Sequence, residues 1–307
     1  MGSTKDRIEL CLRWAAAGVC LGVGLIGLLH DLPLRTLLWD SNWWGWAAEL
    51  LRFSWQEWVT STSVDRFINW TGRFFGLILF LTGLQILFWQ QWVERFGIRR
   101  VPIVFAFFIL LLQHFLIWKD HFWNLGHLLE LSLQTSALLI WLFYLYLEIK
   151  LPGFKDAREQ VIVTRAYWWG VRLLTAATFV GHGLYAVGYH PVPANFVMMT
   201  QSGLGVGEEN ARQLLWMVGW LDFLAALLLV LPWRKSQLLA LCWIIPWAIL
   251  TSLARLWSYG GLVPFDTLLT QWAPEVIRRL PHILVPVALF LQLFWARPQV
   301  QGLGTRS

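Results

Sequence analysis

Eight stretches of mainly apolar residues divide this chain. Each is long enough, at about 20 residues, to cross the hydrocarbon of a bilayer as a helix. They run Leu12–Leu29, Ile68–Phe88, Val101–Trp118, Leu125–Tyr146, Trp168–Tyr189, Leu214–Leu231, Leu238–Trp257 and Leu280–Trp295. In lipid every backbone amide needs a partner within the protein, so spanning segments are helices or closed barrels. A barrel strand is about half this length, which leaves helices. The expected fold is an all-α membrane protein with about eight transmembrane helices. The last stretch is short and needs little tilt. Only 14% of residues are charged, against about 25% in soluble domains.

The basic residues set an expected orientation. With the N-terminus inside, fourteen of the 24 Lys and Arg fall in inner segments, seven in outer loops and three (Arg73, Arg172 and Arg255) within helices. The inner set includes Arg95, Arg99 and Arg100 after the second stretch, and Lys150, Lys155 and Arg158 after the fourth. Under the positive-inside rule both termini are then cytoplasmic, as in a bacterial inner-membrane protein. The net charge of +6 is read the same way, so no nucleic-acid partner is expected. The chain has no convincing small-residue cleavage site after Leu12–Leu29, so that stretch is expected to be a retained helix.

The chain holds 23 Trp, a residue that favours the headgroup level. The first outer loop, residues 30–67, carries Trp39, Trp43, Trp44, Trp46, Trp55 and Trp58. Apolar residues at three-to-four spacing within it predict short amphipathic helices lying on the membrane. In the third outer loop, residues 190–213, Pro191 and Pro193 precede an apolar piece, Ala194–Thr200, and a Gly-rich turn. That pattern predicts a short re-entrant or interfacial helix. The fourth outer loop is expected over Ser258–Arg279.

The chain repeats. Leu12–Leu25 aligns without gaps on Val171–Leu184, matching Arg13 to Arg172, Gly22 to Gly181 and Gly24 to Gly183. Each copy is followed by a long outer loop, two helices joined by a basic turn, and a final helix. Gly126–Glu130 and Pro281–Val285 form the second match, with His127 opposite His282. The expectation is two parallel four-helix repeats, residues 1–150 and 151–307, with short interfacial helices in the outer loops.

Ionisable groups at membrane depth are costly and so point to function. His182 lies between Gly181 and Gly183 in an apolar helix, where the missing side chains let a helix or ligand come close. Asp222, Arg255 and His282 sit at comparable depth on the three following helices. The four predict an outward-facing polar pocket, with Asp222 meeting Arg255 or His182. His182 and Asp222 are the candidate catalytic pair, and Arg255 and His282 candidate binding groups. In the first unit Arg73 and Glu130 are the natural pair and further binding candidates. His114, His121 and His127 lack tight ligand spacing, so no metal site is expected. Cys11, Cys20 and Cys242 form no C-x-x-C pair and are expected to act as small apolar residues. No phosphate-binding loop, dinucleotide fingerprint or nucleophile elbow is present.

The second half, about Arg165–Trp295, resembles the DoxX-like family of four-helix membrane proteins. The residues that carry this are Arg172, TFVGHGLYAVG (178–188), PVPANFVMM (191–199) and the stretch from Gly205 to Leu241 with Asp222 inside it. The first half resembles it only through the repeat, with Arg73 and Phe75 near the acidic position. The resemblance implies a membrane component of a quinone-linked redox system. His182 would then donate a hydrogen bond or proton to a quinone carbonyl. Two other readings stand beside it: a proton-coupled small-solute or lipid transporter using Asp222 and His182, and a non-catalytic scaffold whose Trp-rich loops hold a membrane or periplasmic partner. Whether the chain is an enzyme stays open at this stage.

Overall fold

The computed structural model describes residues 3–88, 101–150 and 157–295. Among them every regular element is a helix. The basic residues Arg95, Arg99, Arg100, Lys155, Arg297 and Arg306 lie outside the described residues.

Helix α1 (Thr4–Leu29) begins at a capping box, in which Ser3 Oγ accepts from Asp6 N and Asp6 Oδ2 accepts from Ser3 N. Such a cap contributes about 1 kcal/mol. Three short helices follow, α2 (Arg35–Leu38), α3 (Ser41–Leu50) and α4 (Trp55–Thr60). Then come α5 (Thr62–Leu87), α6 (Val101–Asp120), α7 (Leu125–Glu130) and α8 (Ser132–Lys150). The second half holds α9 (Ala157–Ala186), α10 (Ala194–Leu204), α11 (Glu208–Val230) and α12 (Arg234–Tyr259). It closes with α13 (Phe265–Thr267), a π-helical turn over Leu268–Trp272, α14 (Ala273–Ile277) and α15 (Leu280–Trp295). Helix α10 covers the apolar piece after Pro193 and ends at Gly205, whose φ of 66° is left-handed.

Among the described residues seven helices are long and apolar enough to cross a membrane: Thr4–Leu29, Thr62–Leu87, Val101–Asp120, Leu125–Ile149, Glu208–Val230, Arg234–Tyr259 and Phe265–Phe294. Two expectations change here. The region 265–277, read as loop from its prolines, is helical and joins α15 in one 30-residue segment. Pro264 and Pro274 sit at helix starts, where a missing N–H costs nothing, rather than ending a helix. The fifth stretch, Trp168–Tyr189, lies mostly in α9, a 30-residue helix that is not among the seven. Trp168, Trp169, Arg172, Thr175, Thr178 and His182 make it more polar than its neighbours. Its interior position permits that, since Thr175, Thr178 and Phe179 are fully buried.

Helices α1 and α9 form the middle of the bundle. Helix α1 packs on α5 and then on α14 and α15; α9 packs on α11 and then on α7 and α8. Small residues bring the backbones close, since helix association in lipid rests on packing rather than water exclusion. On α1, Gly24 faces Gly76 and Phe80 of α5, and Gly22 faces the backbone of Arg278. On α9, Gly183 faces Gly219 and Phe223 of α11, and Gly181 faces the backbone of Glu130 and Gly126. Large apolar side chains such as Phe74, Phe108, Trp216 and Leu224 point outward from the flanking helices, as a lipid-facing surface requires.

Among the described residues, segments between the long helices meet at one end of the bundle. Lys119 Nζ reaches Asp40 Oδ2 at 2.6 Å and the carbonyl of Thr36 at 2.9 Å. Ser258 Oγ donates to the carbonyl of Met199 at 3.0 Å. A ring nitrogen of His30 lies 3.1 Å from the carbonyl of Thr270. This end also carries the site.

Candidate functional site: two chambers around Glu130

Glu130 is the last residue of α7, where the chain breaks at Leu131 before α8. A helix start leaves backbone amides without partners. Thr178 of α9 accepts from the amide of Leu133 at 3.2 Å, so α9 closes the break. A side chain at Gly181 would overlap the backbone of Glu130. The glycine therefore lets α7 lie directly on α9, and this puts Glu130 beside the next residue, His182.

Three side chains converge on that carboxylate, which is 6% exposed, and a fourth reaches the backbone of the same residue. Arg279 Nη2, from the junction of α14 and α15, donates to Oε1 at 3.0 Å. His182 Nε2 lies 3.4 Å from the same oxygen, and His127 Nδ1 lies 4.0 Å from Oε2. His282 Nε2 is 3.4 Å from the backbone carbonyl of Glu130. A buried carboxylate without a cation would be several kcal/mol less stable, so Arg279 is what permits the group here.

Two cavities meet at this cluster. The larger holds about 1050 Å³ and opens at the loop end, with His121, His127, Glu130, His190, Arg278 and Arg279 among its walls. The smaller holds about 200 Å³ and is mainly apolar, with Phe196, Met199, Leu215, Val218 and Trp247 on its walls. His182 and Asp222 border the small chamber. Arg255, Arg279 and Phe196 border both.

The charges are not balanced. Arg278 pairs with Glu275 at 2.8 Å and Arg279 with Glu130 at 3.0 Å. Arg255 is 4% exposed and donates to the carbonyl of Thr251 at 2.8 Å. No carboxylate lies within 4.0 Å of it among the described residues. The Nε–H groups of Arg278 and Arg279 are buried and donate to no partner among the described residues.

At the mouth, His121 and His127 stack with ring centres 3.9 Å apart, and Tyr185 OH is 3.1 Å from His127 Nδ1. The amide of Gly126 donates to His190 Nε2 at 3.3 Å. That bond needs a neutral acceptor nitrogen, and burial pushes the His190 imidazole below its ordinary value.

Three of the four expected pocket residues, His182, Asp222 and Arg255, border one chamber. His282 does not; it lies behind Glu130, 1% exposed, with its ring centre 5.6 Å from that of His182. Two expected pairings are corrected. Asp222 meets neither Arg255 nor His182, and accepts from Trp243 Nε1 at 3.0 Å. Trp243 and Arg255 are both on α12, about 18 Å apart along its axis at 1.5 Å per residue. Asp222 at the level of Trp243 is thus far below the guanidinium. Arg73 does not pair with Glu130. It is exposed on α5, 5.6 Å from the ring of Trp70, and α5 packs chiefly on α1, away from α7. Sequence reasoning placed Arg278 and Arg279 in a loop and missed them. An Arg pair directly before a spanning helix that opens Leu-Pro-His was the available signal.

Comparison with protein-family models, curated proteins and solved structures gives no match for this chain.

Proposed function

We propose that this chain is an inner-membrane protein that draws an amphipathic molecule from the bilayer into the paired chambers. Its polar head would lie in the large chamber against Arg255 and Arg279, and its apolar chain in the small one. The observation that carries this reading is the shared wall: polar and apolar cavities meet at Arg255, Arg279 and Phe196. Ligand sites in membrane bundles pair an apolar cleft with a few convergent polar groups in this way. The test is extraction: the protein purified in mild detergent is analysed by mass spectrometry for co-purified lipid. A bound amphiphile that is lost on Leu215→Trp, which fills the small chamber, is the expected result. An empty protein that also fails to take up any added single-chain amphiphile sinks the reading.

The architecture proposed with it is two parallel four-helix units, with α9 as the eighth span and both termini cytoplasmic. Paired contacts support the duplication. Gly24 on Gly76 and Phe80 repeats as Gly183 on Gly219 and Phe223, and Gly22 on Arg278 repeats as Gly181 on Glu130. These contacts favour matching Glu130 to Arg278 over matching His127 to His282. The resemblance to the DoxX-like family belongs to the same proposal.

A quinone-linked redox role is the second reading. It is favoured by His182, which borders the apolar chamber and stands 3.4 Å from Glu130 Oε1. A quinone carbonyl entering that chamber would compete with the carboxylate for the imidazole N–H. Co-purified quinone, and turnover lost in His182→Ala without loss of folding, are its expected signs.

A further inference from the structure

We infer that the head group taken by the large chamber is a phosphate ester on a single apolar chain, bound by Arg255. This rests on the amphiphile reading above and names the chemistry of its head. Glu275 and Glu130 already neutralise Arg278 and Arg279. Arg255 is left as a buried cation whose described partner is one backbone carbonyl. A charge held out of water without a counter-charge is costly, so the site is completed by a ligand that brings at least one negative charge.

Donor geometry distinguishes phosphate from carboxylate. A guanidinium has five N–H donors in a planar fork, and one nitrogen of Arg255 is engaged with Thr251. Arg278 and Arg279 stand beside it, each guanidinium already paired with a carboxylate. All three residues border the large chamber. A carboxylate offers two oxygens to these donors, whereas a phosphate monoester offers three strong acceptors and suits Arg forks. The volume of about 1050 Å³ leaves room for a substituted ester. The apolar chamber begins at Arg255 itself, so a chain attached to the phosphate runs directly from the guanidinium between Phe196 and Leu215.

The test measures binding by native mass spectrometry and calorimetry on delipidated protein, with dodecyl phosphate, dodecanoate, decylubiquinone and inorganic phosphate as probes. Dodecyl phosphate is expected to bind at least tenfold more tightly than each of the others. Arg255→Gln is expected to weaken it at least tenfold and Arg255→Lys less, with unchanged binding of the neutral quinone. Equal affinity for dodecanoate overturns the phosphate assignment. Inorganic phosphate binding as tightly as the ester overturns the lipid-borne source. Tight quinone binding with no effect of Arg255→Gln overturns the inference while leaving the two-chamber reading intact; no amphiphile binding at all ends both. Should Arg255→Gln fail to fold, Leu215→Trp replaces it. That variant is expected to keep weak inorganic phosphate binding and lose the preference for the ester, and an unchanged preference overturns the inference.

Discussion

His182 Nε2 stands 3.4 Å from Oε1 of Glu130, although the two come from different halves of the chain. Arg279 donates to the same oxygen from a third segment. The carboxylate is therefore a junction between α7, α9 and the α14–α15 turn.

The pairing of Glu130 with Arg279 is expected to behave as a buried ion pair. Glu130→Gln and Arg279→Gln should each destabilise by roughly 3–5 kcal/mol, because each leaves the other charge buried alone. The double variant should lose less than the sum. Thermal unfolding in detergent for the four proteins gives the coupling, and strict additivity would sink the ion-pair account.

Gly181 and Gly170 lie on the same helix and are expected to respond oppositely to alanine. At Gly181 the new Cβ would overlap the backbone of Glu130. Forced overpacking costs about 1–3 kcal/mol, and more where backbone rather than side chain must move. At Gly170 no atom lies within 4 Å of the added carbon, so Ala should be neutral or stabilise by up to about 1 kcal/mol through helix propensity. Melting temperatures of the two variants decide it.

Acidification is expected to loosen the mouth of the large chamber at His190. Its pKa is lowered by burial, so the unfolded chain takes up a proton before the fold does. The contribution of His190 is fully present above the unfolded value of about 6.5 and is lost as pH falls through the lowered folded value. A protonated ring also cannot accept from Gly126. Hydrogen exchange at Gly126 should quicken over that window, and His190→Phe should flatten the response. An unchanged exchange profile in the wild type would contradict it.

Trp243→Phe removes the indole donor to Asp222 while keeping most of the ring volume. Asp222 is 1% exposed, so losing a partner there is expected to cost about 1–3 kcal/mol. Asp222→Leu on that background should recover part of the loss, read by the same melts. No recovery would mean that the indole acts by packing alone.

The gathering of His182, Asp222 and Arg255 around one cavity was legible in the sequence, and their relative depth and partners were not. They were expected at comparable depth from position along their stretches, yet Asp222 meets Trp243, well along α12 from Arg255. Their partners were misjudged in part because α11, which carries Asp222, is apolar round most of its surface. Such helices have no polar stripe to say which face meets which neighbour. Arg73 and Glu130 sit at similar depths in the sequence, yet one faces outward beside Trp70 and the other inward beside Arg279. Arg279 was hidden for a second reason. The prolines at 264 and 274 read as loop punctuation, and only tertiary packing shows that they open helices.

The packing of α1 on α14 and α15 also bears on biosynthesis. Helix α1 finds much of its neighbourhood in helices that are synthesised long after it. Until Leu280 arrives, the glycine face at Gly18 and Gly22 has only lipid or an insertion factor to rest on. A chain stopped short of α14 would thus keep α1 on α5 but leave the opposite face of α1 without its protein neighbour.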